Sequence, residues 1–229
     1  MGFGRLSADV FTPVEKTAVQ NASAPYPRID PAFLFAAFLA GLIIIFLAPL
    51  MIFIVLAVRL QDGGPVLFAQ RRIGYGGRAF ACLKFRTMAV DAEARLDQLL
   101  AEDPAARDEW TRDHKLRSDP RITPVGVFLR RSSLDELPQL FNVLRGEMDL
   151  VGPRPIVPSE VERYGRRIKD YYTVRPGLTG LWQVSGRSDT SYRRRVAMDT
   201  LYARSKDFAF DIRILILTIP AVLFRRGSY

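Results

Sequence analysis

A chain of 229 residues with 48% hydrophobic content has room for one globular core beside a single long apolar segment, and not for several domains. Its formal charge of +9 suits an anionic leaflet, a phosphorylated lipid or a nucleotide, while the lack of zinc-finger or RNP-like aromatic patterns argues against a nucleic-acid reader. The single cysteine, Cys82, excludes an internal disulfide and reads as a small packed residue in a reducing compartment.

Residues 1–30 mix small, polar and proline-rich pieces without periodicity, which predicts a mobile tail. From Phe33 to Val58 there are 26 residues without a charge, amide or hydroxyl. As a helix they would reach about 39 Å, more than a hydrocarbon core of about 30 Å, so 31–60 is expected to enter a membrane. Pro49 removes a backbone donor near the middle and predicts a kink or break. Hydropathy alone fits equally a single spanning helix and a re-entrant hairpin whose ends return to one face. The surplus charge all follows residue 58, where Arg59, Arg71, Arg72, Arg78, Lys84 and Arg86 crowd one flank, so the region after Arg59 is expected to be cytoplasmic. The run is too long and starts too late for a signal peptide.

The remaining 61–229 is expected to form one membrane-associated domain. Gln61 to Pro65 is a turn cluster, Val66 to Phe68 a strand-like run, Gly74 to Gly77 a second turn and Ala79 to Phe85 a second strand, which together predict a hairpin. Lys84-Phe85-Arg86-Thr87-Met88 follows, where two cations flank an aromatic; taken alone this reads more readily as a snorkelling rim than as an anion site. An acidic insertion over 91–119 carries nine acidic and five basic residues. Its Ala92, Leu96, Leu99 and Leu100 recur at helical spacing, and Pro104 opens a second helical piece through Trp110. His114 in this insertion has no Cys or second His nearby and reads as solvated rather than as a metal ligand.

The residues able to do chemistry concentrate between Gly126 and Pro155. Leu137, Leu140, Phe141 and Leu144 keep helical spacing, and Pro138 is tolerated only near a helix start, so a helix is expected to begin near Ser133. Ser133-Leu134-Asp135-Glu136 fits a capping box in which Glu136 reaches back to the Ser133 amide, and that alone would explain both acids. A functional reading of the same pair is that one carboxylate attacks while its neighbour holds a hard divalent cation against phosphates. Further on, Val161 to Tyr172 predicts an amphipathic helix, and 176–186 a loop in which Trp182 serves packing or base stacking. Ile214 to Phe224 is apolar but too short to span a membrane.

Several motifs in one order then carry a resemblance: Lys84 to Met88, Ser132 to Gln139, Asn142 to Met148, Val151 to Pro155 and Arg175 to Arg187. With these the chain resembles the monotopic phosphoglycosyl transferases, also called bacterial sugar transferases, over roughly 31–229, and within them the undecaprenyl-phosphate hexose-1-phosphate transferase branch. The resemblance implies an α/β fold, mostly helical with a few short strands, a re-entrant membrane helix kinked at Pro49, and the catalytic region alone without a further N-terminal membrane domain. It implies Asp135 as nucleophile, Glu136 as Mg²⁺ ligand, Lys84, Arg154, Arg187 and Arg130 as phosphate-binding residues, and Asp211 in support. The implied substrates are a UDP-sugar, galactose or glucose foremost, and undecaprenyl phosphate. The implied setting is the cytoplasmic face of a bacterial inner membrane at the first membrane step of capsule, exopolysaccharide or O-antigen synthesis. Membrane lipids, a homodimer partner and downstream glycosyltransferases are implied as partners, and nucleic acid is not. Ala48 departs from the serine that often precedes the proline, which leaves the kink geometry open. On the residues alone, a membrane-anchored metal-dependent phosphohydrolase and a non-catalytic membrane scaffold stay open as alternatives.

Overall fold

The computed structural model describes residues 30–113, 116–186 and 191–223. The expected tail over 1–30, all but its last residue, and His114 and Arg187 lie outside the described residues. The described chain is mostly helical with four short strands, as expected. It divides into two compact units, a central one made of Gly41–Gln70 and Leu83–Phe141 and a C-terminal one that combines residues up to Ala40, Arg71–Cys82 and the chain from Asn142 onward.

Helix α1 (Pro31–Asp62) is 32 residues long, and Pro49 lies inside it rather than ending it. At a rise of about 1.5 Å per residue it measures about 48 Å. The hairpin strands β1 (Leu67–Ile73) and β2 (Ala79–Phe85) pair as expected across the Gly74–Arg78 turn. The two acidic helices also form where the periodicity places them, α2 at Ala92–Glu102 and α3 at Pro104–Asp113.

In the central unit, Met51, Ile54 and Val58 of α1 follow one another at helical spacing and form a buried stripe with Phe85 of β2 and Leu129 of α4 (Pro124–Ser132). The remaining faces of α1 stay apolar yet exposed, Ile45, Phe46, Phe53 and Leu60 among them. Helix α4 starts on a complete cap: Thr123 Oγ1 accepts from the Gly126 amide at 3.0 Å and Pro124 occupies the first turn. A side-chain carbon on Gly126 would stand 2.0 Å from the Thr87 carbonyl oxygen, so only glycine lets α4 lie this close to the segment after β2.

Helix α4 ends on Ser133 with φ 54°, the one non-glycine residue at positive φ among the described residues. A 3₁₀ turn, Leu134–Glu136, follows at once, and α5 (Gln139–Leu144) continues after Pro138. The predicted helix start therefore lies where expected, but as a 3₁₀ turn entered through a left-handed residue rather than as a capped α-helix.

The C-terminal unit has its own core of Ile73, Ile156, Tyr164, Tyr171 and Val196. Strand β3 (Asp149–Val151) pairs in parallel with β4 (Gly177–Thr179), Asp149 opposite Gly177 and Val151 opposite Thr179. The amphipathic helix expected over 161–172 is broken into α6 (Val161–Tyr164) and α7 (Ile168–Tyr171) by Gly165, whose φ of 53° no continuing helix permits. The predicted loop over 176–186 contains β4 and a short helix α8 (Leu181–Val184). Two longer helices close the unit, α9 (Tyr192–Ser205) and α10 (Phe208–Leu223). Helix α10 begins before the apolar run that announces it and carries Pro220 internally.

Candidate active site around Asp135 and Glu136

The 3₁₀ turn after α4 presents Asp135 and Glu136 beside the end of β2. Lys84 Nζ donates to Glu136 Oε1 at 2.7 Å and stands 3.7 Å from Asp135 Oδ2. The capping-box expectation fails here: Ser133 makes no side-chain cap bond, and Glu136 engages Lys84. The two carboxylates differ in enclosure, since the Asp135 side chain is 12% exposed and that of Glu136 37%, so Asp135 is the desolvated member of the pair.

Burial pushes the Asp135 carboxyl above its ordinary value; the Lys84 ammonium pulls it back, the Glu136 charge adds to the rise, and Arg130 lowers it. Arg130 is held for that job by its Nε, which donates to Thr87 Oγ1 at 2.9 Å. The end of β2 and the segment after it thus supply three functions. Lys84 faces the dyad, Phe85 enters the core, and Thr87 steadies Arg130.

Arg86, expected at a snorkelling rim, is instead 9% exposed and forms a two-point pair with Asp62 at the end of α1. Its Nε also donates to the Pro65 carbonyl at 2.5 Å, which fastens the turn after α1 to the strand carrying Lys84. Sequence reasoning missed this clamp, because Asp62 looks like one more polar residue of a turn cluster.

The donor set around the dyad suits a hard divalent cation that is shared with a ligand. Asp135 and Glu136 offer oxygen ligands, but among the described residues no group of three acids, histidines or cysteines comes together. Such an ion would complete its shell with water and substrate phosphate oxygens, as Mg²⁺ commonly does. The same unit also contains an apolar cavity of about 380 Å³, walled by Ile44, Ala48 and Ile52 of α1 and by Leu67, Pro138 and Phe141, with no polar side chain in its lining.

The other expected site residues belong to the C-terminal unit. Arg154 is half-buried just after β3, with its guanidinium carbon 6.0 Å from the Trp182 ring centre. Asp211 on α10 has Oδ1 2.6 Å from the Tyr202 hydroxyl, which also reaches the Val151 carbonyl at 2.9 Å. Lys206 donates to Asp149 at 3.0 Å and lies 4.0 Å from Asp211. Burial raises the Asp211 carboxyl to about 6, against the lowering effects of Tyr202 and Lys206. The structure therefore brings Lys84, Arg130, Asp135 and Glu136 together, and sets Asp211 in a buried polar network that positions α10 on β3.

Comparison with known proteins shows the family of the chain. Residues 32–225 match the family described as bacterial sugar transferase. An uncharacterized sugar transferase of Haemophilus influenzae is 52% identical over 189 residues, which cover 82% of this chain and 40% of the relative. The undecaprenyl-phosphate galactose phosphotransferase of Salmonella typhimurium is 51% identical over 188 residues, 82% of this chain and 39% of the relative. The exopolysaccharide production protein ExoY of Rhizobium meliloti is 45% identical over 223 residues, 97% of this chain and 96% of the relative. The chain thus spans about 40% of the length of the larger relatives and nearly the whole of the smaller one. With a match of this extent and identity, the chain belongs to the bacterial sugar transferase family.

Proposed function

We propose that the chain transfers a sugar 1-phosphate from a UDP-sugar to undecaprenyl phosphate, with galactose or glucose as the hexose, on the cytoplasmic face of a bacterial inner membrane. The observation that carries the reading is the enclosed Asp135 carboxylate with a lysine ammonium 3.7 Å away and a second, more open carboxylate beside it. A solvated capping pair would have neither the enclosure nor the cation. The relatives named for galactose phosphotransfer and exopolysaccharide production support the substrate class.

In this mechanism an Asp135 Oδ attacks the phosphorus that bears the sugar. The bond from that phosphorus to the bridging oxygen breaks, UMP departs with the electron pair, and a phosphosugar remains on the carboxylate. A phosphate oxygen of undecaprenyl phosphate then attacks the same phosphorus, which frees Asp135 and yields undecaprenyl diphosphate sugar. Lys84 and Arg130 favour the ionised form of Asp135 against its burial. Arg154 and Arg187 are proposed to hold phosphate oxygens, and Asp211 to support the site from α10. Glu136, with Asp135 beside it, would hold Mg²⁺, which when bound supplies charge neutralisation to the diphosphate.

The lipid substrate needs access along the bilayer, and two features support it. Helix α1 keeps most of its apolar surface exposed, and the apolar cavity lies between this helix and Pro138, two residues past Glu136. The ends of α1 also support a re-entrant disposition. Its first turns pack in the C-terminal unit, where Phe33 lies under Arg175 and Phe35 against Phe208, and its last turns pack in the central unit through Ile54 and Val58. Each unit joins a part of the helix to chain that follows it, and α1 is the one helix among the described residues long and apolar enough to cross a membrane.

The test is UMP release by nanodisc-held protein with Mg²⁺ and a panel of UDP-sugars, with and without undecaprenyl phosphate. Release that needs one sugar and the lipid, and that disappears in Asp135→Asn, is the expected result. Phosphosugar delivered to water without the lipid would replace the transferase by a hydrolase.

A further inference from the structure

Between α6, α8 and α9 of the C-terminal unit lies a cluster centred on Arg195, Trp182 and Tyr192, three residues to which the transfer reaction above gives no role, with Arg154 at its edge. The Arg195 guanidinium carbon is 5.2 Å from the Trp182 ring centre and 5.3 Å from that of Tyr192. Four buried polar atoms on these three side chains have no hydrogen-bond partner among the described residues: Arg195 Nε, Arg195 Nη2, Trp182 Nε1 and the Tyr192 hydroxyl. Three of them are N–H groups that can only donate, and the hydroxyl can donate as well. Buried donors are nearly always paired, so four orphans around one guanidinium mark the place of an absent acceptor.

The nearby acids do not fill that role. Asp199 Oδ2 is 3.9 Å from Arg195 Nε and Glu160 Oε1 is 3.6 Å from Arg195 Nη1, balancing charge at distances too long for hydrogen bonds. Each is engaged elsewhere: Asp199 accepts from the Tyr164 hydroxyl at 2.7 Å, and Glu160 from the Val157 amide at 3.0 Å. Cations outnumber acids here. Arg163 lies 3.7 Å over the Tyr192 ring, Arg154 lies 6.0 Å from the indole, and Arg72 stands 3.9 Å from Glu160. With Arg195 that makes, among the described residues, four guanidiniums to two carboxylates, a surplus that suits a dianion better than a monoanion.

We propose that Arg195, Trp182 and Tyr192 form a phosphate-binding site in which the guanidinium fork grips two phosphate oxygens and the indole N–H and phenol hydroxyl take the rest. The phosphate belongs to a soluble ion or nucleotide or to a lipid headgroup, and the chemistry of the site is the same for each. The site stands on these donors whether or not Asp135 transfers a phosphosugar.

The experiment reads Trp182 fluorescence in full-length protein held in phosphatidylcholine nanodiscs, with Trp110→Phe introduced so that Trp182 is the sole indole. Inorganic phosphate and UMP are titrated in separate arms, and a third arm exchanges phosphatidic acid into the nanodiscs. The expected result is a saturable change in at least one arm, with affinity lowered at least tenfold by Arg195→Gln and at least threefold by Tyr192→Phe. The responding arm names the source: the soluble ion, the nucleotide or the headgroup. Should Arg195→Gln fail to fold, Tyr192→Phe, which keeps the ring and deletes one donor, carries the comparison. No saturable change in any arm, or unchanged affinity in the folded variants, overturns the site and leaves water as the missing partner.

Discussion

At Asp135, burial and charge pull in opposite directions. Burial favours the protonated acid, whereas nucleophilic attack needs the carboxylate, and Lys84 is the largest influence on the side of ionisation. Lys84→Met is therefore expected to move the acid limb of the kcat/KM profile to higher pH, since activity follows the ionised fraction of Asp135. Loss of the ammonium from beside the proposed nucleophile should also lower kcat about 10²-fold. A pH-rate profile of the variant checks both, and an unmoved limb would remove Lys84 from its role. Two other acids act on stability instead. Burial raises Asp199 and Asp211 to about 6 from the ordinary carboxylate value of 3.8, so the folded chain holds these protons more tightly than the unfolded one. The stability this provides is present in full below about pH 4 and is lost as pH rises through about 6, at most about 3 kcal/mol for Asp199 and less for Asp211, which solvent partly screens. Melting followed from pH 4 to 7 should show this contribution to Tm falling in the wild type, and a flatter profile in the Asp199→Asn, Asp211→Asn double variant.

Among the elements, α4 and the turn after it aim the dyad. Ser133 holds a left-handed conformation that a side chain makes costly by about 1–2 kcal/mol, immediately before Asp135. Ser133→Gly should relieve part of this and raise stability by about 0.5–1 kcal/mol in urea unfolding. Ser133→Val, whose branched carbon resists positive φ, should lower it and disturb the dyad. Gly126→Ala places a carbon 2.0 Å from the Thr87 carbonyl and forces α4 away from the segment that holds Arg130. A loss of about 3 kcal/mol is expected, with reduced UMP release even where the variant stays folded. Unchanged stability in Gly126→Ala would mean that this close approach is not required.

At the scale of the whole molecule, the question is how α1 meets the bilayer. A helix of about 48 Å is long enough to cross, yet chain that follows the helix packs against its first turns and against its last turns. The re-entrant disposition predicts that Asp30→Cys and Gln61→Cys are both shielded from an impermeant maleimide in intact spheroplasts and both labelled after the inner membrane is opened. The native Cys82 is buried and gives little background. Labelling of Asp30→Cys from outside would show a crossing helix and displace the re-entrant reading.

Local patterns determined much of this protein. The apolar run that becomes α1, both hairpin strands, the two acidic helices and the position of the Asp135-Glu136 turn all follow from periodicity, glycine and proline within a few residues. Helix α9 escaped because its buried stripe is Val196, Asp199 and Tyr202, and a buried acid breaks the hydrophobic period that would reveal it. The parallel pair β3 and β4 escaped because strands of three residues carry no period, and their partner is set by the long connection between them. Only tertiary structure decided what Glu136 does. A capping box and a lysine-paired site dyad share the same four residues, and the choice rests on Lys84, 52 residues earlier in sequence, reaching the turn at 2.7 Å. A sequence displays which groups are available, while pairing and desolvation depend on neighbours that only the folded chain brings together.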